Sequence, residues 1–179
     1  MNMSADKKSK AEVLRSRARE LAQEATSSAT TAATLDVIEF GLAHERYAIE
    51  AAYVREVQPL EDLTPLPGTP HFVAGIVNVR GRILAVIDIR KFFDLPEVGI
   101  TDTHKIILVH TAEMELGILA DTVAGVKSIP MDAMQSSLPT LTGLREKYLK
   151  GVTAERLVIL DAARILEDRR IMVNDEVET

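Results

Sequence analysis

The spacing of hydrophobic and polar positions changes near residue 35. Over residues 10–25, apolar residues recur every three or four positions, with charged residues between them, which is typical of an amphipathic helix. These positions are Ala11, Leu14, Ala18, Leu21, Ala22 and Ala25. From Leu35 onward, apolar and polar residues alternate, which is typical of β-strands. The pattern predicts a helical or partly disordered extension and linker over residues 1–34, a β-rich domain over residues 35–168 and a loose tail over residues 169–179.

The most strongly patterned stretch covers residues 65–93. Two runs rich in β-branched residues, 73–79 and 83–89, flank Arg80-Gly81-Arg82, and glycine supplies the backbone freedom of a tight turn. The stretch therefore predicts a central β-hairpin with a charged tip. Runs this uniformly apolar are typical of strands that are buried on both faces, so we expect both strands to be covered on both sides.

Alternation elsewhere predicts three further hairpins. Their strands fall within residues 35–49, 105–119 and 149–160, and single strands are expected at 51–57 and 123–129. A Pro-rich connector is expected at 61–70, a long surface loop at 130–146, a short helix or turn at 90–95 and a closing helix at 162–168.

The two halves of the chain echo each other. Tyr47, Ile49, Val54 and Val57 match Leu116, Ile118, Val123 and Val126 at one constant offset, and Phe72, Gly75 and Asp88 match Tyr148, Gly151 and Asp161. Each half then supplies about five short strands, the number that closes a small barrel and hides its sheet edges. The echo predicts a mainly β fold of two similar barrels packed together, and chance similarity between apolar strands is the alternative.

Composition and charge narrow the classes of partner. The chain has no Cys, which excludes disulfides and thiolate metal sites and agrees with a reducing compartment such as the cytoplasm. No stretch approaches the roughly 20 apolar residues of a membrane span. Residues 1–34 carry six Lys/Arg against four Asp/Glu, so of the total charge of −6 the extension has +2 and the remainder −8. An acidic body with 4% aromatic residues argues against nucleic acid as a partner.

Catalytic and metal-binding patterns are missing from the sequence. The four His residues are scattered, and no nucleophile-elbow, Walker or dinucleotide-binding motif occurs. We therefore expect no enzyme activity, no metal and no cofactor. Arg80 can grip a partner's carboxylates or be a solvated hairpin tip, and Glu56 can pair with Arg80 or be an ordinary strand residue. Asp88 and Asp161 each suit the N-cap of a helix.

Several short motifs carry a resemblance to a known family. They are Val54-Arg55-Glu56-Val57, Pro65-Leu66-Pro67, the run from Phe72 through Gly75 to Asn78-Val79-Arg80-Gly81, Val86-Ile87-Asp88-Ile89-Arg90, and Tyr148-Leu149-Lys150-Gly151. Through them the chain resembles the CheW family of bacterial chemotaxis coupling proteins over most of residues 35–167. The resemblance implies two five-stranded SH3-like barrels around a shared core.

The same resemblance implies a function and its residues. A CheW-like chain is a non-catalytic adaptor that joins the cytoplasmic tips of methyl-accepting chemoreceptors to the regulatory domain of a CheA-type histidine kinase. It would be cytoplasmic and recruited to membrane-associated receptor arrays without inserting into the membrane. By position, the partner-binding residues would be Arg80, Glu56, Val54, Gly75 and Arg55, and the residues that shape the hairpin turn would be Asn78 and Gly81. The basic extension is longer than such a chain needs, and no receiver domain is expected after residue 168.

Two other functions stay open at this point. One is a small-ligand sensor or carrier that uses a cleft between the two barrels. The other is a nucleic-acid binder with an SH3-like fold, against which the charge of the body counts.

Overall fold

The computed structural model describes residues 33–96, 99–101, 103–136 and 144–171, and its strands form two β-sheets. The predicted helix at residues 10–25 and residues 172–179 of the predicted tail lie outside this range. The strands are β1 (Thr34–Leu42), β2 (Glu45–Glu50), β3 (Val54–Pro59), β4 (Val73–Val79), β5 (Arg82–Ile87), β6 (Lys105–His110), β7 (Glu115–Ala120), β8 (Thr122–Pro130), β9 (Met134–Gln135), β10 (Leu149–Thr153) and β11 (Leu157–Leu160). The short helices are α1 (Ile89–Phe92), α2 (Leu144–Lys147) and α3 (Ala162–Leu166).

All four predicted hairpins are confirmed, and so is the mainly β fold class. Three local predictions differ from the structure. The segment Ala51–Tyr53 is a 3₁₀ turn before β3, and Ile89 opens a helix instead of closing a strand. The expected long loop after Pro130 contains a second 3₁₀ turn, Met131–Ala133, and the short strand β9.

The two halves of the chain exchange their first hairpins. The five-stranded sheet has the order β3-β6-β7-β5-β4, and the six-stranded sheet has the order β8-β1-β2-β11-β10-β9. Each sheet thus combines the first hairpin of one half with the later strands of the other half. The first five strands of each order correspond one to one, and each sheet has one parallel pair, β5 with β7 and β2 with β11. This correspondence confirms the internal duplication, although neither sheet is built from one contiguous half.

The duplication extends to local geometry. Arg55 is an extra residue in β3, and its counterpart is Ala124 in β8, because the pairing register shifts at both points. The backbone N–H of Asp88 donates to the carbonyl of Phe72, and the N–H of Asp161 donates to that of Tyr148, each at 2.8 Å. The echo in the sequence therefore reflects repeated structure.

The apolar residues form one shared core and two smaller ones. Strand β6 separates two of these cores. Its Ile106 and Leu108 face the small core of the five-stranded sheet, whereas Ile107 and Val109 face the large shared core. The sequence of β6 contains an uninterrupted apolar run because both faces of this strand are covered. The third core lies in the six-stranded sheet and includes Val37, Ala48, Ile129, Leu157 and Ile159.

Strand β5 is not buried on both faces, so that expectation for the central hairpin is wrong. Leu84 and Val86 face the small core, but Ile83 is 61% exposed. Only Ile87, at the end of the strand, reaches the shared core. The outer face near the turn projects beyond the shared core, so its apolar side chains face water.

The first residues of the predicted loose tail are packed. Ile171 is 7% exposed and belongs to the shared core, and the guanidinium of Arg170 lies 4.7 Å from the centre of the Phe92 ring. Residues 169–171 therefore differ from the prediction, because an apolar anchor and a cation–π contact hold them against the sheets.

Candidate partner-binding site

The central hairpin turns through Arg80 and Gly81. Both have positive φ angles, 51° and 84°, as a two-residue type I′ turn requires. The side-chain Oδ1 of Asn78 accepts a hydrogen bond from the N–H of Gly81 at 2.8 Å. Gly81 thus lies in the turn, Asn78 binds it from the end of β4, and Arg80 projects from the turn.

Arg80 forms an ion pair with Glu56. An Nη atom of Arg80 donates to Oε2 of Glu56 at 2.7 Å, yet the Arg80 side chain is 79% exposed. Glu56 lies on β3 and Arg80 follows β4, and these strands are the two edges of the five-stranded sheet. The ion pair therefore helps to close the sheet on itself, as does the antiparallel bridge between Thr64 and Ile76. An arginine has five N–H donors, so most of those of Arg80 remain open to a partner.

A second acidic residue next to this pair binds two arginines. Glu115, on β7, forms an ion pair with Arg55, whose Nε lies 2.7 Å from Oε1, and accepts hydrogen bonds from Arg82. Arg55 is the extra residue of the β3 bulge, which re-aims a side chain relative to a regular strand. We call Arg55, Glu56, Arg80, Arg82 and Glu115 the turn cluster. It gathers three of the predicted partner-binding residues on one end of the sheet.

The other two predicted residues have different environments. Val54 is half-buried and packs against the shared core. Gly75 is buried, with a φ angle of 150°, and a Cβ atom there would lie 2.4 Å from the carbonyl oxygen of Thr64. The structure therefore gives Gly75 a packing reason to be glycine, since the backbone around Thr64 passes directly over it.

A cleft of about 740 Å³ borders the turn cluster. Apolar side chains from four segments of the chain line it, including Val73, Ile87, Leu116 and Ile171. Glu115 belongs both to the cleft lining and to the turn cluster, so the charged site and the apolar cleft are continuous.

The two predicted helix caps are present. The side chain of Asp88 accepts from the N–H of Arg90, and that of Asp161 accepts from the N–H of Arg164. Asp88 does more than cap, because Nε and Nη2 of Arg90 also donate to its carboxylate at 2.9 and 2.8 Å.

Asp168 and Arg170 form a similar arrangement, in which an arginine donates from its backbone and its side chain to the aspartate two residues earlier. The sequence analysis did not predict this pair. The N–H and Nε of Arg170 donate to Oδ1 of Asp168, and Tyr148 and Lys147 also donate to this carboxylate. Burial alone would raise the pKa of Asp168, but the hydrogen bonds from Arg170, Tyr148 and Lys147 outweigh burial and hold the pKa below its ordinary value. The repeated Asp-x-Arg spacing is the signal in the sequence that could have predicted both Asp–Arg pairs.

Within the residues that the structure describes, no group of three or more His, Asp or Glu side chains is placed to hold a metal ion. In the same residues, no helix has the length and hydropathy needed to cross a membrane.

Comparisons with known proteins agree on one family. The model of the CheW-like domain matches residues 36–170. FrzA of Myxococcus xanthus is 34% identical over 131 residues, which cover 70% of this chain and 81% of FrzA. The chemotaxis protein CheW of Bacillus subtilis is 31% identical over 134 residues, covering 73% and 86% of the two chains. The crystal structure of the scaffolding protein CheW from Thermoanaerobacter tengcongensis superposes with a TM-score of 0.63 at 29% identity, covering 70% of this chain and 88% of that one.

Proposed function

The chain belongs to the CheW-like domain family, and we propose that it is a non-catalytic adaptor in bacterial chemosensory signalling. It joins the cytoplasmic tip of a methyl-accepting chemoreceptor to the regulatory domain of a CheA-type histidine kinase. In this role it acts in the cytoplasm and is recruited to receptor arrays at the membrane. The observation that carries the proposal is the match of the family model across both sheets.

The geometry of the turn cluster supports this role. An adaptor needs a rigid body that presents polar and apolar groups to protein partners, and an exposed arginine beside an apolar cleft is a frequent anchor of protein interfaces. Arg80 is held by Glu56 but keeps most of its donors open, and the cleft begins at Glu115. We assign the receptor contact to Arg80, Glu56 and Arg55 and to the adjoining cleft.

A bridging experiment tests the adaptor function. The kinase regulatory domain is immobilised, and a trimeric cytoplasmic receptor fragment from the same organism is passed over it with and without the full chain. The adaptor predicts that the receptor fragment is retained only when the chain is present. Binding of neither partner to the chain would refute the proposal.

The size of the cleft supports one alternative, a sensor or carrier of a small ligand. A volume of about 740 Å³ falls within the range of small-molecule pockets. A ligand that binds only the folded chain raises its thermal midpoint. A specific rise with one metabolite, in the absence of any protein partner, would favour the sensor over the adaptor.

A further inference from the structure

A buried group of charged residues lies where the chain crosses from one sheet to the other. Asp121 stands between the end of β7, in the five-stranded sheet, and the start of β8, in the six-stranded sheet. Around it lie Arg90 and Asp88 of the α1 region and His104, which precedes β6. We call Asp88, Arg90, His104 and Asp121 the crossover cluster.

The two carboxylate oxygens of Asp121 bind opposite sheets. Oδ2 accepts from the N–H of Ala43, in the β1–β2 turn of the six-stranded sheet, at 2.6 Å. Oδ1 accepts from Nη1 of Arg90, in helix α1 after β5, at 2.8 Å. The N–H of Asp121 also donates to the carbonyl of Gly41 on β1 at 3.0 Å. One side chain therefore ties a turn of one sheet to a helix of the other.

The guanidinium of Arg90 is buried and contacts two carboxylates. Its side chain is 1% exposed. Two of its N–H groups donate to Asp88 and a third donates to Asp121. A buried guanidinium that loses a carboxylate is left without compensation for its lost hydration. Nε2 of His104 lies 3.0 Å from Oδ1 of Asp121 without forming a hydrogen bond to it.

The second crossover of the duplicated fold is built differently. Between β2 and β3 the chain crosses from the six-stranded to the five-stranded sheet through Ala51–Tyr53, and Ala51 and Tyr53 pack there against the shared core. Apolar packing is not directional, whereas hydrogen bonds to a carboxylate fix angles. The hydrogen bonds of Asp121 therefore give this crossover a directional restraint that the apolar contacts of Ala51 and Tyr53 do not give the other.

We propose that Asp121 is a positioning residue that fixes the angle between the two sheets and thereby the relative placement of the surfaces through which the adaptor joins its partners. The first part rests on the structure alone. The second part rests on the proposed function.

The absence of native Cys makes a direct distance measurement possible. Ile83→Cys and Val126→Cys place one spin label on an exposed position of each sheet, and double electron–electron resonance of the full chain gives the distribution of distances between them. We expect one narrow maximum in the otherwise native chain and its loss, by broadening or splitting, in Asp121→Ala. The matched control is Asp161→Ala, which removes the cap of α3 but no contact between the sheets, and it should keep the narrow maximum.

Asp121→Asn is a second variant that keeps the test informative if Asp121→Ala does not fold. The amide oxygen can accept from Ala43 or from Arg90, but the amide nitrogen cannot replace the second acceptor. We expect this variant to fold and to broaden the distribution. A single narrow maximum in both Asp121 variants, or in the Asn variant if the Ala variant is unfolded, would overturn the proposal.

Binding measurements on the same variants test the link to function. With a host receptor fragment and kinase regulatory domain, Asp121→Asn should bind each partner alone as the native chain does. The complex of all three should weaken about tenfold, which corresponds to ~1.4 kcal/mol. Normal formation of that complex by a chain with a broadened distribution would refute the functional part. If the native chain itself joins no partners, the adaptor function fails while the distance result still stands.

Discussion

At the scale of single residues, burial separates two uses of arginine in this chain. Arg80 and Arg90 each pair with a carboxylate, but the first side chain is 79% exposed and the second 1%. An exposed pair contributes about 0–1 kcal/mol to stability, whereas removing one partner of a buried pair costs roughly 3–5 kcal/mol. Arg90 therefore stabilises the fold, whereas Arg80 is available to bind a partner.

This difference predicts the effect of Arg80→Ala. We expect the free energy of unfolding to change by no more than about 1 kcal/mol, while affinity for the receptor fragment falls by about tenfold or more. Arg156→Ala is a matched control, because Arg156 is exposed and has a φ angle of 60°, close to the 51° of Arg80. Urea unfolding and titration calorimetry supply the two measurements. Equal loss of affinity in both variants would remove Arg80 from the interface.

Charge at Glu56 should matter more than its hydrogen bond. Glu56→Gln retains an acceptor for Arg80, whereas Glu56→Lys replaces the carboxylate that Arg80 contacts at 2.7 Å with a like charge that repels the guanidinium. We expect the Lys variant to lose more receptor affinity than the Gln variant, because a displaced Arg80 no longer presents its donors. Indistinguishable binding by the native, Gln and Lys chains would argue against a role for this residue.

Asp168 should make the stability of the chain depend on acidity. Its carboxyl pKa is lowered in the folded chain, so the unfolded chain takes up the proton first as the pH falls. The stabilisation is complete above the ordinary value of 3.8 and is lost as the pH drops below it. Asp168→Asn should therefore cost about 2–3 kcal/mol at neutral pH and less in acid. Chemical unfolding of both chains between neutral pH and about pH 3 measures this, and a cost independent of pH would contradict it.

At the scale of elements, the turn of the central hairpin was predictable and the burial of its strands was not. Gly81 next to a charged residue, between two apolar runs, indicates a tight turn from local backbone chemistry alone. Exposure of Ile83 depends instead on where the shared core ends, which is set by the packing of the other sheet. Hydrophobic periodicity and composition predict the type of an element, but the elements packed against it determine which of its faces are buried.

Long-range charge contacts set a second limit on sequence reasoning. A pairing of Glu56 with Arg80 was one of the two alternatives from the sequence, and the structure selects it. The contacts of Glu115 with Arg55 and Arg82 became visible only once the order of strands was known, because no local pattern joins residues that far apart. The Asp121 contacts were hidden for the same reason, since exchange of the first hairpins brings Ala43 next to β8.

The path of β4 predicts a large cost for Gly75→Ala. A Cβ atom would meet the carbonyl oxygen of Thr64 at 2.4 Å and would also stand at a φ angle of 150°. Gly125→Ala is the matched control, because Gly125 has a φ angle of 121° but nothing within 4 Å of the added atom. We expect at least about 2 kcal/mol of destabilisation at Gly75 and less at Gly125, from backbone strain alone. Equal costs in urea unfolding would show that the approach of Thr64 is unimportant.

At the scale of the whole molecule, duplication with exchanged hairpins explains the shared core. Because each half gives its first hairpin to the sheet of the other half, separating the two halves of the chain would break strand pairing as well as apolar packing. Residues of both sheets, such as Phe40 and Ile107, meet in one cluster. A body of this kind can hold two partner surfaces at a fixed distance, as an adaptor must.

Control of kinase activity by a receptor tests whether the chain acts as an adaptor. Receptor-containing vesicles, the kinase and the chain are combined, and kinase autophosphorylation is followed with and without the receptor's attractant. The adaptor account predicts that attractant changes the rate only when the chain is present, and that Arg80→Ala weakens this control while Arg156→Ala does not. The same attractant response in the absence of the chain, or no response with the native chain despite active kinase and intact receptors, would contradict it.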